Sequence, residues 1–173
     1  MSARTDTFDL GPLHLRAGEA RHLELEVPLD HFELSNERYD VQPTPVPVQL
    51  DVSRMTGGGW SLRLRLRAEL HGPCMRCLEP ASPGFDVDAR EVDVPGEGPE
   101  LESPYVQGEV VDVGAWTRDA LALALPANIL CTPECLGLCP ECGENLNTAG
   151  PGHRHDKGPD PRWAALSQIK FED

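Results

Sequence analysis

At 173 residues the chain is long enough for one domain with a real core plus an appendage, and a hydrophobic content of 39% with three Trp, two Tyr and four Phe keeps that core modest. A formal net charge of −14 excludes a general nucleic-acid binder, whose affinity comes from phosphate neutralisation, and suits a basic protein partner or RNA met through a local patch. No window approaches the roughly 20 apolar residues of a membrane helix and no signal-peptide stretch is visible, so the expected location is the reducing cytosol, where six cysteines favour metal over disulfides.

The first elements are short. Leu13 and Leu15 flank His14, and Leu23, Leu25 and Val27 flank Glu24 and Glu26, which reads as two half-buried strands. Residues 28–45 read as a polar loop running into Pro43, Pro45 and Pro47. Val46, Val48, Leu50 and Val52 then alternate with polar residues, Gly57-Gly58-Gly59 turns the chain, and Leu62, Leu64, Leu66, Ala68 and Leu70 alternate with Arg63, Arg65, Arg67 and Glu69. This spacing predicts a long antiparallel hairpin whose register is fixed, because a one-residue slip would expose every leucine. The three arginines fall on its outer face. They form either a basic stripe for RNA phosphates or an ordinary solvated face that discourages edge pairing.

Cys74 and Cys77 follow that strand. A redox CxxC opens a helix, and Pro80 argues against one, which leaves a zinc knuckle or a turn with free thiols. His22, Glu24 and the Pro73-Cys74…Cys77 run match a zinc-deaminase signature in letters, but His22 and Glu24 sit on a strand pattern where that chemistry needs helix starts. Phe85, Val87 and Ala89 predict another strand, and residues 95–108 an acidic, Pro/Gly-rich flexible loop. Asp112 is a candidate N-cap for a helix near 113–125, with Val113, Trp116, Ala120, Leu123 and Ala124 on one face and Pro126 as its stop. Asp160-Pro161 reads as the start of a second helix carrying Trp163, Leu166 and Ile169 on one side.

The chemistry concentrates between the two helices. Cys131, Cys135, Cys139 and Cys142 fall at spacings of four, four and three, and Cys139-Pro-Glu-Cys142-Gly143 reads as a zinc knuckle. Tetrahedral Zn²⁺ needs a second donor pair, for which Cys131 and Cys135 are nearest in the chain. Cys74, Cys77, His153 and His155 bring the donors to eight, enough for two sites; the spacing leaves open which four share an ion. Glu141, Glu144 and Asp156 lie near the cluster, and none has a spacing that marks it as a general base. Buried free thiols, and for the histidines a solvated Gly-rich loop, are the alternatives.

These residues, in order, are similar to a known family. Cys74-x-Arg-Cys77-Leu-x-Pro80, the stretch from Asp112 to Leu-x-Leu-Pro126, Cys131-x3-Cys135-x-Gly-Leu-Cys139-Pro-x-Cys142-Gly-x-Asn-Leu-Asn147, and Asp160-Pro-Arg-Trp-Ala-Ala-Leu166 resemble the YceD-like bacterial family over roughly residues 45–170. Relatives often carry Cys-x-Cys where this chain has His153-Arg154-His155, a change that keeps both positions as donors. The family is named for accumulation of large-subunit ribosomal RNA, and its genes commonly neighbour that of a large-subunit ribosomal protein. The resemblance implies a non-enzymatic factor in large ribosomal subunit biogenesis with a structural zinc site. Its partner would be a large-subunit precursor, through ribosomal RNA or a basic ribosomal protein, with no membrane and no small-molecule substrate. Alternatives are a zinc- or thiol-dependent enzyme acting on nucleic acid, and a zinc-stabilised regulatory adaptor.

The expected fold class is α+β: a small antiparallel β-sheet or partly closed barrel with a packed helix and a zinc-stabilised tail ending in a short helix. The expected division is a β-rich domain over residues 1–127 and a Cys-rich metal-binding tail over 128–173.

Overall fold

The computed structural model describes residues 3–4 and 6–155. The expected C-terminal helix from Asp160 therefore lies outside the described residues.

The alternating leucines produce the long strand that organises the protein. Strand β7 (Trp60–Pro73) pairs antiparallel with β6 (Val46–Arg54) in the register Val48 to Leu66, Leu50 to Leu64 and Val52 to Leu62, as the alternation requires. All six of these side chains are buried, and each contributes about 1.5–3 kcal/mol of transfer free energy. On its other side β7 pairs with β9 (Gly84–Asp93) from Trp60 to Glu69. Beyond β6 lies β3 (Ala20–Val27), with the two-residue β1 (Ala3–Arg4) parallel at its edge.

Residues 28–45 correct the expectation of a loop. They form a hairpin of β4 (Phe32–Leu34) and β5 (Glu37–Gln42), and β5 continues along β7 through Val41 and Leu70. Ser35 and Asn36 both take positive φ, 53° and 67°, as a two-residue hairpin turn with right-handed twist demands. Tyr39 lies over Gly72, where a Cβ would collide with its ring, and its hydroxyl donates to the Pro73 carbonyl at 2.8 Å. That contact fixes the end of β7, from which the first cysteine pair departs. Leu13 and Leu15 form no strand: Pro12 sits in a 3₁₀ turn over Gly11–Leu13, and Leu10 before it is the fully buried residue.

The sheet stays open, which corrects the partly closed barrel. Among the described residues its strands run β1-β3-β6-β7-β5-β4, with β9 also on β7, and a pair of strands that would close it is absent. Helix α1 (Val113–Ala124) occupies that position, packing on β9 and β3. Asp112 caps it by accepting from the Ala115 N–H at 2.8 Å. Its buried face is Val113, Trp116, Thr117, Ala120 and Leu121; Leu123, expected inside, is 87% exposed.

A second small sheet, β2 (Thr7–Asp9) beside β11 (Val110–Asp112) beside β10 (Val106–Gln107), leads into the helix. Within residues 95–108 a 3₁₀ turn spans Pro99–Leu101, Ser103 is buried with its N–H on Asp93 Oδ1, and Tyr105 stacks on Trp116 with centroids 6.1 Å apart. None of the helices in the described residues is long and apolar enough to cross a membrane.

Candidate metal centres

Where β7 ends, Cys74 and Cys77 stand on a tight turn. The Leu78 N–H donates to the Cys74 carbonyl at 2.9 Å and the Cys74 N–H to the Glu79 carbonyl at 2.7 Å. Beyond the helix, Ile129 is fully buried and its carbonyl accepts from the Met75 N–H at 2.9 Å, while its own N–H donates to the Met75 sulfur at 3.3 Å. That clasp delivers Cys131 and Cys135 to the same place. Cys74 Sγ lies 3.7 Å from Cys135 Sγ, and Cys77 Sγ 3.6 Å from Cys131 Sγ, with all four sulfurs within 4.8 Å of one another. A tetrahedron with Zn–S bonds of about 2.3 Å has S···S edges of about 3.8 Å, so the spacing fits a tetrathiolate.

The second group is Cys139, Cys142, His153 and His155, again with donor atoms within 4.8 Å. Cys139 Sγ is 3.2 Å from His155 Nε2, Cys142 Sγ is 3.6 Å from His153 Nε2, and the two Nε2 atoms are 3.0 Å apart. A Cys₂His₂ tetrahedron has S···N edges of about 3.6 Å and an N···N edge of about 3.3 Å. The opposite ring nitrogens face carboxylates: His153 Nδ1 is 3.0 Å from Glu144 and His155 Nδ1 is 3.5 Å from Glu141. Carboxylates behind ligating imidazoles hold the tautomer that leaves Nε2 free for the metal.

Both groups are prepared for anionic sulfur. Burial alone would raise the Cys74 thiol, but the N–H groups of Cys77, Arg76 and Cys131 turned on its sulfur bring it from 9.0 to about 6. Cys139 falls to about 6 as well, through the N–H groups of Cys142 and Glu141 and the nearby His153. Asn147 lowers Cys135, its Nδ2 lying 3.4 Å from the sulfur. The Cys139 thiolate in turn raises His153. In each group one or two thiols are lowered, and the neighbouring sulfurs raise the others because a second negative charge beside the first is disfavoured.

The partition is one that the spacing left open. Cys131 and Cys135, nearest in the chain to the Cys139–Cys142 knuckle, are grouped with Cys74 and Cys77 instead. The Leu-Gly-Leu stretch between Cys135 and Cys139 bends the chain away: Leu138 N–H donates to the Arg76 carbonyl at 3.2 Å, and Arg76 Nη1 to the Cys135 carbonyl at 2.9 Å. The Asn-Leu-Asn flank joins the two groups, since Asn147 Oδ1 accepts from Leu136 N–H at 2.8 Å and Leu146 N–H donates to Gly137 O at 2.9 Å. Sequence reasoning quoted this flank and assigned it no physical role; an Asn two residues from another Asn, beside cysteines, was the available signal.

The structure leaves the other candidates apart. His22 is far from any cysteine group, its Nδ1 2.6 Å from Asp51 Oδ1, which removes the deaminase pattern. No helix starts at Cys74, which removes the redox geometry. The arginines are not a basic stripe: Arg63 bonds Asp88 at 2.8 Å, Arg65 bonds Asp51 at 2.8 Å, and Arg67 lies 3.8 Å from Asp86. Acids on the neighbouring strands neutralise each one.

A family model described as "Large ribosomal RNA subunit accumulation protein YceD" matches residues 62–170, a span that includes all eight donors. The chain is 38% identical over 104 residues to an uncharacterized protein of Mycobacterium tuberculosis, covering 57% of this chain and 49% of that one. It is 29% identical over 143 residues to the maize protein "Large ribosomal RNA subunit accumulation protein YCED homolog 1, chloroplastic", covering 61% and 47%. The chain thus spans about half the length of these curated relatives. No solved structure matches.

Proposed function

The chain belongs to the YceD family, and from that premise we propose that it is a non-enzymatic factor in large ribosomal subunit biogenesis, built around two structural zinc ions. The family is named for ribosomal RNA accumulation and not for a reaction. The observation that carries the reading is the pair of donor sets, four thiols and then two thiols with two imidazoles, each at tetrahedral spacing. An ion held by four protein donors has no position left for water and serves to hold shape.

We assign Cys74, Cys77, Cys131 and Cys135 to one ion and Cys139, Cys142, His153 and His155 to the other. Zinc suits these donors best: soft thiolates with imidazoles in tetrahedral array exclude the oxygen-preferring cations. Each ion ties segments distant in sequence, and its binding free energy becomes folding free energy. Free cysteines throughout suit a reducing compartment such as the cytosol.

The partner is a precursor of the large subunit, contacted through a basic ribosomal protein in preference to RNA, because the net charge is −14 and the sheet arginines are neutralised. An open-site hydrolase fits less well. The carboxylates that could act as general base, Glu141 and Glu144, sit behind the imidazoles.

Metal analysis of reduced protein should return two zinc equivalents per chain. Wild-type protein should co-sediment with large-subunit precursors, and a Cys74→Ser variant should not. A metal-free sample with the tail still ordered, or absence of the wild type from precursor fractions at every salt concentration, would overturn the proposal.

A further inference from the structure

The two CxxC turns share one backbone geometry and differ in one side chain. In the second turn the N–H of Gly143 donates to the Cys139 carbonyl at 2.8 Å and the Cys139 N–H to the Glu144 carbonyl at 2.8 Å. In the first, Leu78 and Glu79 make the same two bonds with Cys74, at 2.9 and 2.7 Å. Leu78 and Gly143 therefore occupy equivalent positions, each one residue past the second cysteine. Both are left-handed, with φ of 64° and 75°. Glycine adopts that conformation freely, whereas a leucine Cβ crowds the following carbonyl oxygen.

The left-handed backbone lets the Leu78 N–H close the turn on the Cys74 carbonyl, but the side chain itself is little covered by the fold. It is 64% exposed. Leu136, one residue past Cys135 on the other loop of the tetrathiolate group, is 66% exposed. Leu78 forms part of the wall of a hollow of ≈ 410 Å³, together with Pro73, Pro80, Ala81, His71, Gly72 and Ser82. An apolar side chain held out in a strained conformation in the wall of an apolar hollow is what a docking contact looks like before its partner arrives.

The charge around it selects the partner. Glu79 follows Leu78 and Glu134 precedes Cys135, both exposed, against the single cation of the exposed Arg76, whose Nη1 donates to the Cys135 carbonyl, so the acids outnumber the base. Phosphates would meet these carboxylates unfavourably, and a lysine- or arginine-bearing peptide would meet them favourably.

We propose that Leu78 is a docking residue, taking an apolar side chain carried on a basic protein segment against the tip of the first cysteine turn. The inference rests on the assembly-factor reading and names the surface through which it acts.

The test uses zinc-loaded full chain as wild type, Leu78→Gly, and Leu78→Asn, the last because asparagine tolerates a left-handed backbone while removing the apolar surface. Each is sedimented with large-subunit precursor particles and, separately, with the ribosomal RNA extracted from them. Both variants should keep the wild-type zinc content, and Leu78→Gly should melt no lower than wild type. Their binding to particles should fall at least tenfold, and binding to extracted RNA should be weak and equal in all three. Variants that bind particles like wild type would sink this inference and leave the assembly reading standing. Loss of zinc in either variant would make Leu78 structural and overturn it, as would wild-type binding to bare RNA as tight as to particles. Wild-type protein that fails to bind particles removes both readings.

Discussion

The two cysteine groups use similar turns in unlike surroundings. The tetrathiolate set is built into the body of the protein: Cys74, Cys77 and Cys135 are buried at 0%, 3% and 1% exposure, and the set joins the end of β7 to a segment more than fifty residues later in the chain. The Cys₂His₂ set draws on residues 139–155 alone, Cys142 is exposed, and its links inward are backbone bonds to Arg76 and Gly137 and the Asn147 amide on Leu136 and Cys135. The lesson is that one kind of ligand set can act as a keystone or as a local clip. Which it becomes depends on what its loops are attached to.

The strongest way to break that contrast is to remove one ligand from each group. Cys74→Ser should release one zinc equivalent and destabilise the whole protein by about 4 kcal/mol or more, which at this chain length lowers Tm by roughly 10 °C. Cys142→Ser should also release one equivalent and move Tm by no more than about 3 °C. Calorimetry with metal analysis checks both, and equal melting shifts would erase the distinction. Chelator challenge sharpens it kinetically. A colorimetric chelator should take one equivalent quickly from the exposed group and the second at least tenfold more slowly, with loss of tertiary structure following only the second; one rate for both ions would mean that they are a single unit.

A smaller effect is expected at the join. Asn147→Ala removes the amide that bonds Cys135 and Leu136, and should lower stability by about 1 kcal/mol while keeping both ions, as read from urea midpoints. The smallest effect belongs to the sheet surface. Hydrogen bonding from His22, with Arg65 assisting, holds Asp51 below its ordinary carboxylate value. A depressed acid contributes stability that is complete above its unfolded value near 3.8 and fades as pH falls through the folded one. The shortfall of Asp51→Asn relative to wild type should therefore shrink as pH is lowered from 5 towards the acid limit of folding. A shortfall that persists unchanged through that acid range would assign the effect to packing and not to the carboxylate.

The legible parts of this fold were those where local pattern and final environment agree. The Val46–Val52 and Leu62–Leu70 alternation specified a hairpin, and both faces took up the places the period assigns. Asp112 and Pro126 bounded the helix as capping chemistry requires, with the last helical residue Ala124. Phe32, Leu34, Tyr39 and Val41 also alternate, but their turn is Ser35-Asn36 with no glycine, so the hairpin signal was weak. The helix face departs from the expected one at its end: Leu123 and Ala124 fit a three-four spacing from Ala120 yet are exposed, and Leu121 is the buried residue there. All eight donors could be named from the sequence. Their grouping could not, because Cys74 and Cys135 are 61 residues apart and the spacing of eight donors is compatible with more than one partition.

The distance between Cys77 and Cys131 sets an order of events during synthesis. At about 5–20 residues per second, the 54 residues that separate them take roughly 3–10 s to synthesise, so the first thiol pair waits that long after it is made for its complement. Through that interval the sheet can assemble while two thiols stand without their counterparts. Completion of the keystone thus reports that translation has passed residue 135.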